Sequence, residues 1–227
     1  MKVVPQLVVV ALFILPTLPL VAAEDATDFA RSSEYDYDAP KPGSYVLPVI
    51  KAAPDGALVD AGGASLKLHD VTRGRITVLS FIYTRCADSM ACPYATSVLN
   101  KLHRASAADK SLEKNMRLVS ISFDPEYDTP KRLAEYSGWV RDEKAGCEWR
   151  FVAPKSVNEL PAILAAYDQV VNKKQNVNDP KGPLYHSLRA YLIDAGGRVR
   201  NIYSSGTLDG RLVLADVKTL LMESPAK

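Results

Sequence analysis

Cysteine and histidine each occur only three times in 227 residues. That is too few thiols for a disulfide-stapled mini-domain. An excess of one charge is missing as well. The 28 Lys and Arg stand against 26 Asp and Glu, a formal net charge of +2, so no general basic surface marks a nucleic-acid binder. Glycine (12) and proline (15) are too sparse for a collagen-like or low-complexity chain. Long apolar runs are confined to the N-terminus, which excludes a polytopic membrane protein. What remains, 47% hydrophobic and 24% charged, is an ordinary globular composition, long enough for one well-buried core and short for two.

The N-terminal run reads as a targeting segment. Lys2 is its only charge, residues 3–20 are almost wholly apolar, and Val21-Ala22-Ala23 has the small-residue spacing a signal peptidase accepts. Residues 1–23 are therefore expected to be a secretory signal peptide. The alternative, an uncleaved anchor, is weakened by Pro5, Pro16 and Pro19. In a bacterial source this implies the periplasm, where thiols face oxidants, with membrane association only if the segment stays attached. Residues 24–43 carry Glu24, Asp25, Asp28, Glu34, Asp36 and Asp38 and few aliphatics. They are expected to form a flexible acidic arm, with Tyr35 and Tyr37 as the residues that could pin it to the body.

The remainder, 44–227, is expected to be a single domain. Residues 76–83 and 116–123 are continuous apolar, β-branched runs, the pattern of central strands buried on both faces. A helix is expected from Pro93 to about residue 106, with Pro in the first turn. Another starts at Thr129-Pro130, and two more cover 157–167 and 209–222. Short strands are expected at 149–152, 187–193 and 198–203, the last two joined by the turn Asp194-Ala-Gly-Gly197, while 172–182 reads as an exposed loop. This order predicts an α/β sandwich around a mixed sheet.

The chemistry concentrates where the first buried strand ends. Cys86 follows that strand by a few residues, and Cys92 immediately precedes a helix whose N-terminus favours a thiolate. Six positions on one helix amount to about 600°, which would point the sulfurs apart. They meet only if the residues between them form a loop folding back over the helix start. A permanent disulfide, a redox pair and a metal site all fit such a loop; without it the two cysteines are unrelated. His186, expected to open the strand 187–193, would complete a three-ligand set. Soft thiolates with imidazole suit Cu(I), and imidazole also suits Cu(II). His69 and His103 are expected to be solvated and without function. Asp124, ending the second buried strand, either orients a neighbouring ligand or simply terminates the strand. Asp128 with Thr129 reads as a helix cap. Cys147 has no partner motif and is expected to be buried and inert.

Taken in order, these segments resemble the Sco/SenC family. They are Phe81-Ile-Tyr-Thr-Arg-Cys86, Cys92-Pro93, Ser122-Phe-Asp-Pro-Glu-Tyr-Asp-Thr-Pro130, His186-Ser187, Tyr191-Leu-Ile-Asp194 and Gly197. The resemblance implies a thioredoxin-like three-layer α/β sandwich with a central mixed sheet. It further implies a copper site built from Cys86, Cys92 and His186, with Asp124 nearby. The family's work is to deliver copper to the dinuclear copper centre of cytochrome c oxidase, or to keep that centre's cysteines reduced. The implied partner is therefore a copper-receiving or thiol client protein, such as an oxidase subunit. This chain departs from the family pattern in one respect: Cys-x5-Cys-Pro replaces Cys-x3-Cys-Pro. The expected function is an exported copper metallochaperone. The alternative is a thiol–disulfide oxidoreductase in which one cysteine attacks a client disulfide and the other resolves the mixed disulfide. His186-Ser187 stands where thioredoxin-type oxidoreductases carry a cis-proline, which favours the metal. The Pro-rich Thr-x-x-Cys context of peroxiredoxins is absent.

Overall fold

The apolar run after Arg75 forms the centre of the molecule. In a computed structural model, which describes residues 36–142 and 145–223, the elements begin with β1 (Lys51–Ala52), β2 (Ala57–Asp60), β3 (Ser65–Lys67), α1 (Leu68–Thr72) and β4 (Ile76–Ile82). Next come α2 (Cys92–Ala108), α3 (Lys110–Asn115), β5 (Met116–Ser122), α4 (Pro130–Tyr136), α5 (Gly138–Asp142) and β6 (Glu148–Pro154). The chain continues through α6 (Leu160–Ala166), β7 (Val171–Lys173), β8 (Leu184–His186), β9 (Arg189–Ile193), β10 (Arg198–Ser204) and α7 (Gly210–Glu223). The expected signal peptide and residues 24–35 of the expected arm lie outside the described residues. Among the described residues, no helix is long and apolar enough to cross a membrane.

Eight strands form one mixed sheet in the order β1-β10-β9-β4-β5-β6-β2-β3. β4 pairs in parallel with β5, and β5 with β6, while β9 runs antiparallel to β4. Every residue of β4 is buried, as a strand covered on both faces requires. On one face Thr77 Oγ1 donates to the Val71 carbonyl in α1, and the Phe81 ring stands 5.5 Å from Tyr167 at the end of α6. The opposite face carries Ser80 and its register partner Ser120. There Trp149 Nε1 donates to Ser120 Oγ at 3.1 Å, and the same ring lies 5.9 Å from His103 of α2. Helices on both faces of a mixed sheet make the expected three layers.

The end signals act as their chemistry dictates. Thr129 caps α4 by accepting from the Arg132 amide, with Pro130 in the first turn. Asp194 Oδ1 closes the β9–β10 turn by accepting from the Gly196 and Arg198 amides, both at 3.0 Å. At the near end of the acidic segment, the Tyr37 hydroxyl donates to Asp209 at 2.8 Å, and the Tyr45 hydroxyl to Asp216 at 2.5 Å.

Several expectations need correction. His186 does not open a strand: it closes β8, and β9 begins at Arg189. The stretch read as a loop over 172–182 contains part of β7, which pairs with β8 as a separate two-stranded ribbon. Three-residue strands paired only to each other leave almost no periodic trace. The helix expected at 157 starts at Leu160. His103 is not solvated but 3% exposed. It sits four positions after Leu99 on the buried stripe of α2, where helical period outweighs polarity. His69 is half-buried, with Nε2 3.0 Å from the Ala53 carbonyl oxygen.

Candidate metal centre

β4 delivers the chain to the site. Tyr83, directly after it, is buried, and Thr84 turns the backbone outward. That turn is gripped from the loop between β5 and α4. Asp128, fully buried, accepts from the Thr84 amide at 3.0 Å, from the Thr84 hydroxyl, and from Ser122 Oγ at 2.5 Å. Asp128 is thus no helix cap. Thr129 performs that task, and Asp128 ties the ends of β4 and β5 together beneath the cysteine loop. Burial raises its carboxyl above the usual range, against the lowering effect of those donors. The signal that could have found it is its place one residue before a competent cap, which frees its side chain for inward work.

Residues 86–91 form the loop without which the two sulfurs could not meet. The Cys86 amide donates to the Tyr83 carbonyl at 3.1 Å, and the Ala91 amide to the Asp88 carbonyl at 2.9 Å. Cys92 then opens α2 with Pro93 in its first turn. Cys92 is 1% exposed and Cys86 half-buried, and both are free thiols. β8 brings in His186, whose Nε2 lies 3.4 Å from Cys92 Sγ and 3.9 Å from Cys86 Sγ. One donor atom from each of the three residues lies within 4.8 Å of the others, among the described residues. For metal bonds of about 2.0 Å to nitrogen and 2.3 Å to sulfur, trigonal or tetrahedral angles put N and S about 3.5–3.7 Å apart. The two observed separations bracket that interval, so one ion can be shared with little movement.

The electrostatics divide the cysteines. Cys86 is held down to about 4, chiefly by the hydrogen bond from Cys92, then by His186 and nearby backbone amides, against the opposing effect of burial. Cys92, the sulfur expected to be the thiolate at the helix N-terminus, is instead pushed up by burial and by the neighbouring Cys86 sulfur. The result is one accessible thiolate beside one sheltered thiol, a pair suited to ligating a soft ion or to exchanging disulfides.

Among the described residues, Asp124 makes no hydrogen bond to either sulfur or to the imidazole. Its carboxylate pairs with Arg85 at 2.5 Å, and the Arg85 guanidinium also lies 3.9 Å over the Tyr127 ring. It therefore bears on the residue next to Cys86. Cys147 is 1% exposed and away from the cluster, its thiol pushed up to about 11 by burial. His69 and His103 are likewise outside the cluster. Sequence reasoning missed Tyr83, whose ring centroid stands 5.8 Å from that of His186, and Phe123, at 4.9 Å. Both looked like plain strand residues.

Comparison with known proteins agrees with this geometry. The SCO1/SenC family model matches residues 53–222. A "SCO1 protein homolog" of Bacillus subtilis is 25% identical over 142 residues, covering 63% of this chain and 68% of the relative. The structure of Arabidopsis thaliana ScoI with copper bound superposes with a TM-score of 0.58 at 20% identity, over 76% of this chain and 99% of that one. BsSco, described through a disulfide switch as a member of the Sco family of cytochrome c oxidase assembly proteins, gives a TM-score of 0.61 at 20% identity, over 82% and 100%. These structural likenesses speak for the thioredoxin fold, and the family model spans the strand, loop, helix and hairpin that assemble the three donors. The chain belongs to the SCO1/SenC family.

Proposed function

We propose that this protein is an exported copper metallochaperone, with Cys86, Cys92 and His186 as the ligands. The observation that carries the reading is the convergence of two sulfurs and one ring nitrogen within 4.8 Å of one another. Two soft donors and one borderline donor suit Cu(I), and the imidazole also accommodates Cu(II). A half-exposed Cys86 beside a sheltered Cys92 gives an incoming client ligand one accessible sulfur to displace. Copper-bound relatives add support, among them the Arabidopsis and Bradyrhizobium japonicum ScoI structures. The client is a copper-receiving protein, in the family's terms a cytochrome c oxidase subunit. The periplasm follows if residues 1–23 act as a cleaved leader.

The test is a copper titration of the reduced protein. About one ion per chain is expected, with a sulfur-to-copper charge-transfer band for Cu(II). His186→Ala should weaken binding by one to two orders of magnitude. Full retention of copper by that variant would sink the reading.

A second reading, thiol–disulfide exchange, draws on the Cys92-to-Cys86 hydrogen bond and the lowered Cys86 thiol. The Cys86 thiolate would attack a client disulfide, expelling one client thiolate; Cys92, once deprotonated, would then attack Cys86 Sγ, releasing the second client thiolate and leaving a Cys86–Cys92 disulfide. Rapid turnover of a disulfide substrate by His186→Ala would favour it.

A further inference from the structure

The placement of His186 raises a mechanical problem. β8 belongs to the small ribbon and not to the eight-stranded sheet, so the sheet does not hold this ligand directly. Its Nδ1 is buried with no hydrogen-bond partner among the described residues. A ligating histidine is usually oriented by such a bond. The ring instead packs against both Phe123 and Tyr83, whose own centroids lie 5.1 Å apart. The bond from the Ser187 amide to the Val170 carbonyl at 3.2 Å only continues the ribbon's own pairing, and the chain passes from there into β9 at Arg189. The ribbon's far end must be secured elsewhere.

That end rests on the cysteine loop. The Lys181 carbonyl accepts from the Ala87 amide and from the Tyr83 hydroxyl, both at 3.3 Å, and the Leu184 carbonyl lies 3.4 Å from the same hydroxyl. Lys181 Nζ reaches Asp88 at 3.4 Å. Between these carbonyls stands Gly182, at φ +98, where a Cβ would overlap the Tyr83 hydroxyl and lie 2.9 Å from the Arg85 carbonyl oxygen. Only glycine combines that backbone conformation with so close an approach. Ala87 and Asp88 both belong to the Cys-x5-Cys loop, so the loop that departs from the family spacing is also what meets the ribbon.

We propose that residues 181–184 form a latch against Tyr83 and the Cys-x5-Cys loop, with Gly182 as the positioning residue that sets His186 against the two sulfurs. Copper affinity thereby depends on a residue that touches no metal ligand. The inference rests on the copper reading, but the latch itself is visible without copper.

The first measurement uses the copper-free, reduced protein. Packing against Tyr83 and Phe123 gives the His186 ring protons ring-current-shifted NMR positions. Gly182→Ala should move them towards unstructured values. Gly206→Ala, at a glycine whose added Cβ would meet nothing within 4 Å, should leave them in place. The second measurement is Cu(I) affinity by chelator competition. Gly182→Ala should lose about 10–100-fold, the range for removing an orienting partner, and Gly182→Ala/His186→Ala should bind no more weakly than His186→Ala alone. Tyr83→Phe keeps the ring and removes only the hydroxyl, so it tests the latch if Gly182→Ala fails to fold. It should shift the same resonances and lose several-fold in affinity. Unmoved His186 resonances in a folded variant, or additive losses in the double variant, would overturn the latch. If the wild-type chain binds no copper while the apo resonances move as expected, the copper reading falls and the latch stands.

Discussion

Lowering a thiol from 9.0 to about 4 changes reactivity in opposite directions at different pH, which makes Cys86 open to a quantitative test. At pH 5 such a group is about 90% thiolate and an unperturbed one about 0.01%, a gain of roughly 9,000-fold in reacting species. The weaker base is also the weaker nucleophile. With a Brønsted slope near 0.45, five units of basicity cost about 180-fold. Cys86 should therefore alkylate about 50-fold faster than an ordinary thiol at pH 5 and near parity at pH 7. Its half-buried position scales all rates together and leaves the shape of the profile intact. The assay is iodoacetamide labelling of the reduced, chelator-treated protein from pH 5 to 8, with each cysteine followed by peptide mass spectrometry. A nearly flat profile is expected for Cys86, with Cys92 and Cys147 silent because each is 1% exposed. Cys92→Ala removes the leading donor and should restore much of the slope. A tenfold rise per pH unit at Cys86 in the wild-type chain would refute the assignment of the thiolate to that sulfur.

Other consequences reach beyond the cysteines. Asp128→Ala strands the Thr84 amide, the Thr84 hydroxyl and Ser122 Oγ. It should cost about 3–5 kcal/mol in urea unfolding with an unchanged slope, and a loss under about 1 kcal/mol would contradict the clamp. His103→Ala alters a buried position of α2, and Cys147→Ser one just before β6 whose amide donates to Ser106 of α2. Each should lower the melting temperature while copper stoichiometry and affinity stay at wild-type values; loss of copper in either would overturn the three-ligand assignment. At Asp194, burial favours the neutral acid, but hydrogen bonds from Arg198 and Arg200 outweigh it and hold the carboxyl below its usual range. A depressed folded pKa contributes stability above the unfolded value near 3.9, and that stability is lost as pH falls through the folded one. Asp194→Asn should therefore be less stable at pH 7 and show a shallower decline below pH 4. An acid limb identical to wild type would contradict this.

Periodicity and end signals carried the frame of this protein. The apolar, β-branched run 76–83 read as an inner strand, Thr129-Pro130 as a helix start, and the six-position spacing of Cys86 and Cys92 allowed the sulfurs to meet only through a loop over the helix start. Local chemistry decides those features, so sequence alone discloses them. The partners of buried polar groups were not disclosed, because they are chosen by distant neighbours. Asp128 turned inward to Thr84 where a cap had been expected, and His103 joined the core stripe of α2. The placement of His186 depended on a ribbon of three-residue strands too short to leave a pattern, and on Gly182 closing against a tyrosine almost a hundred positions earlier. Residue types alone could nominate two sulfurs and an imidazole. Whether they share one point in space was decided by tertiary packing, since that depends on how loop, helix and ribbon are held against one another.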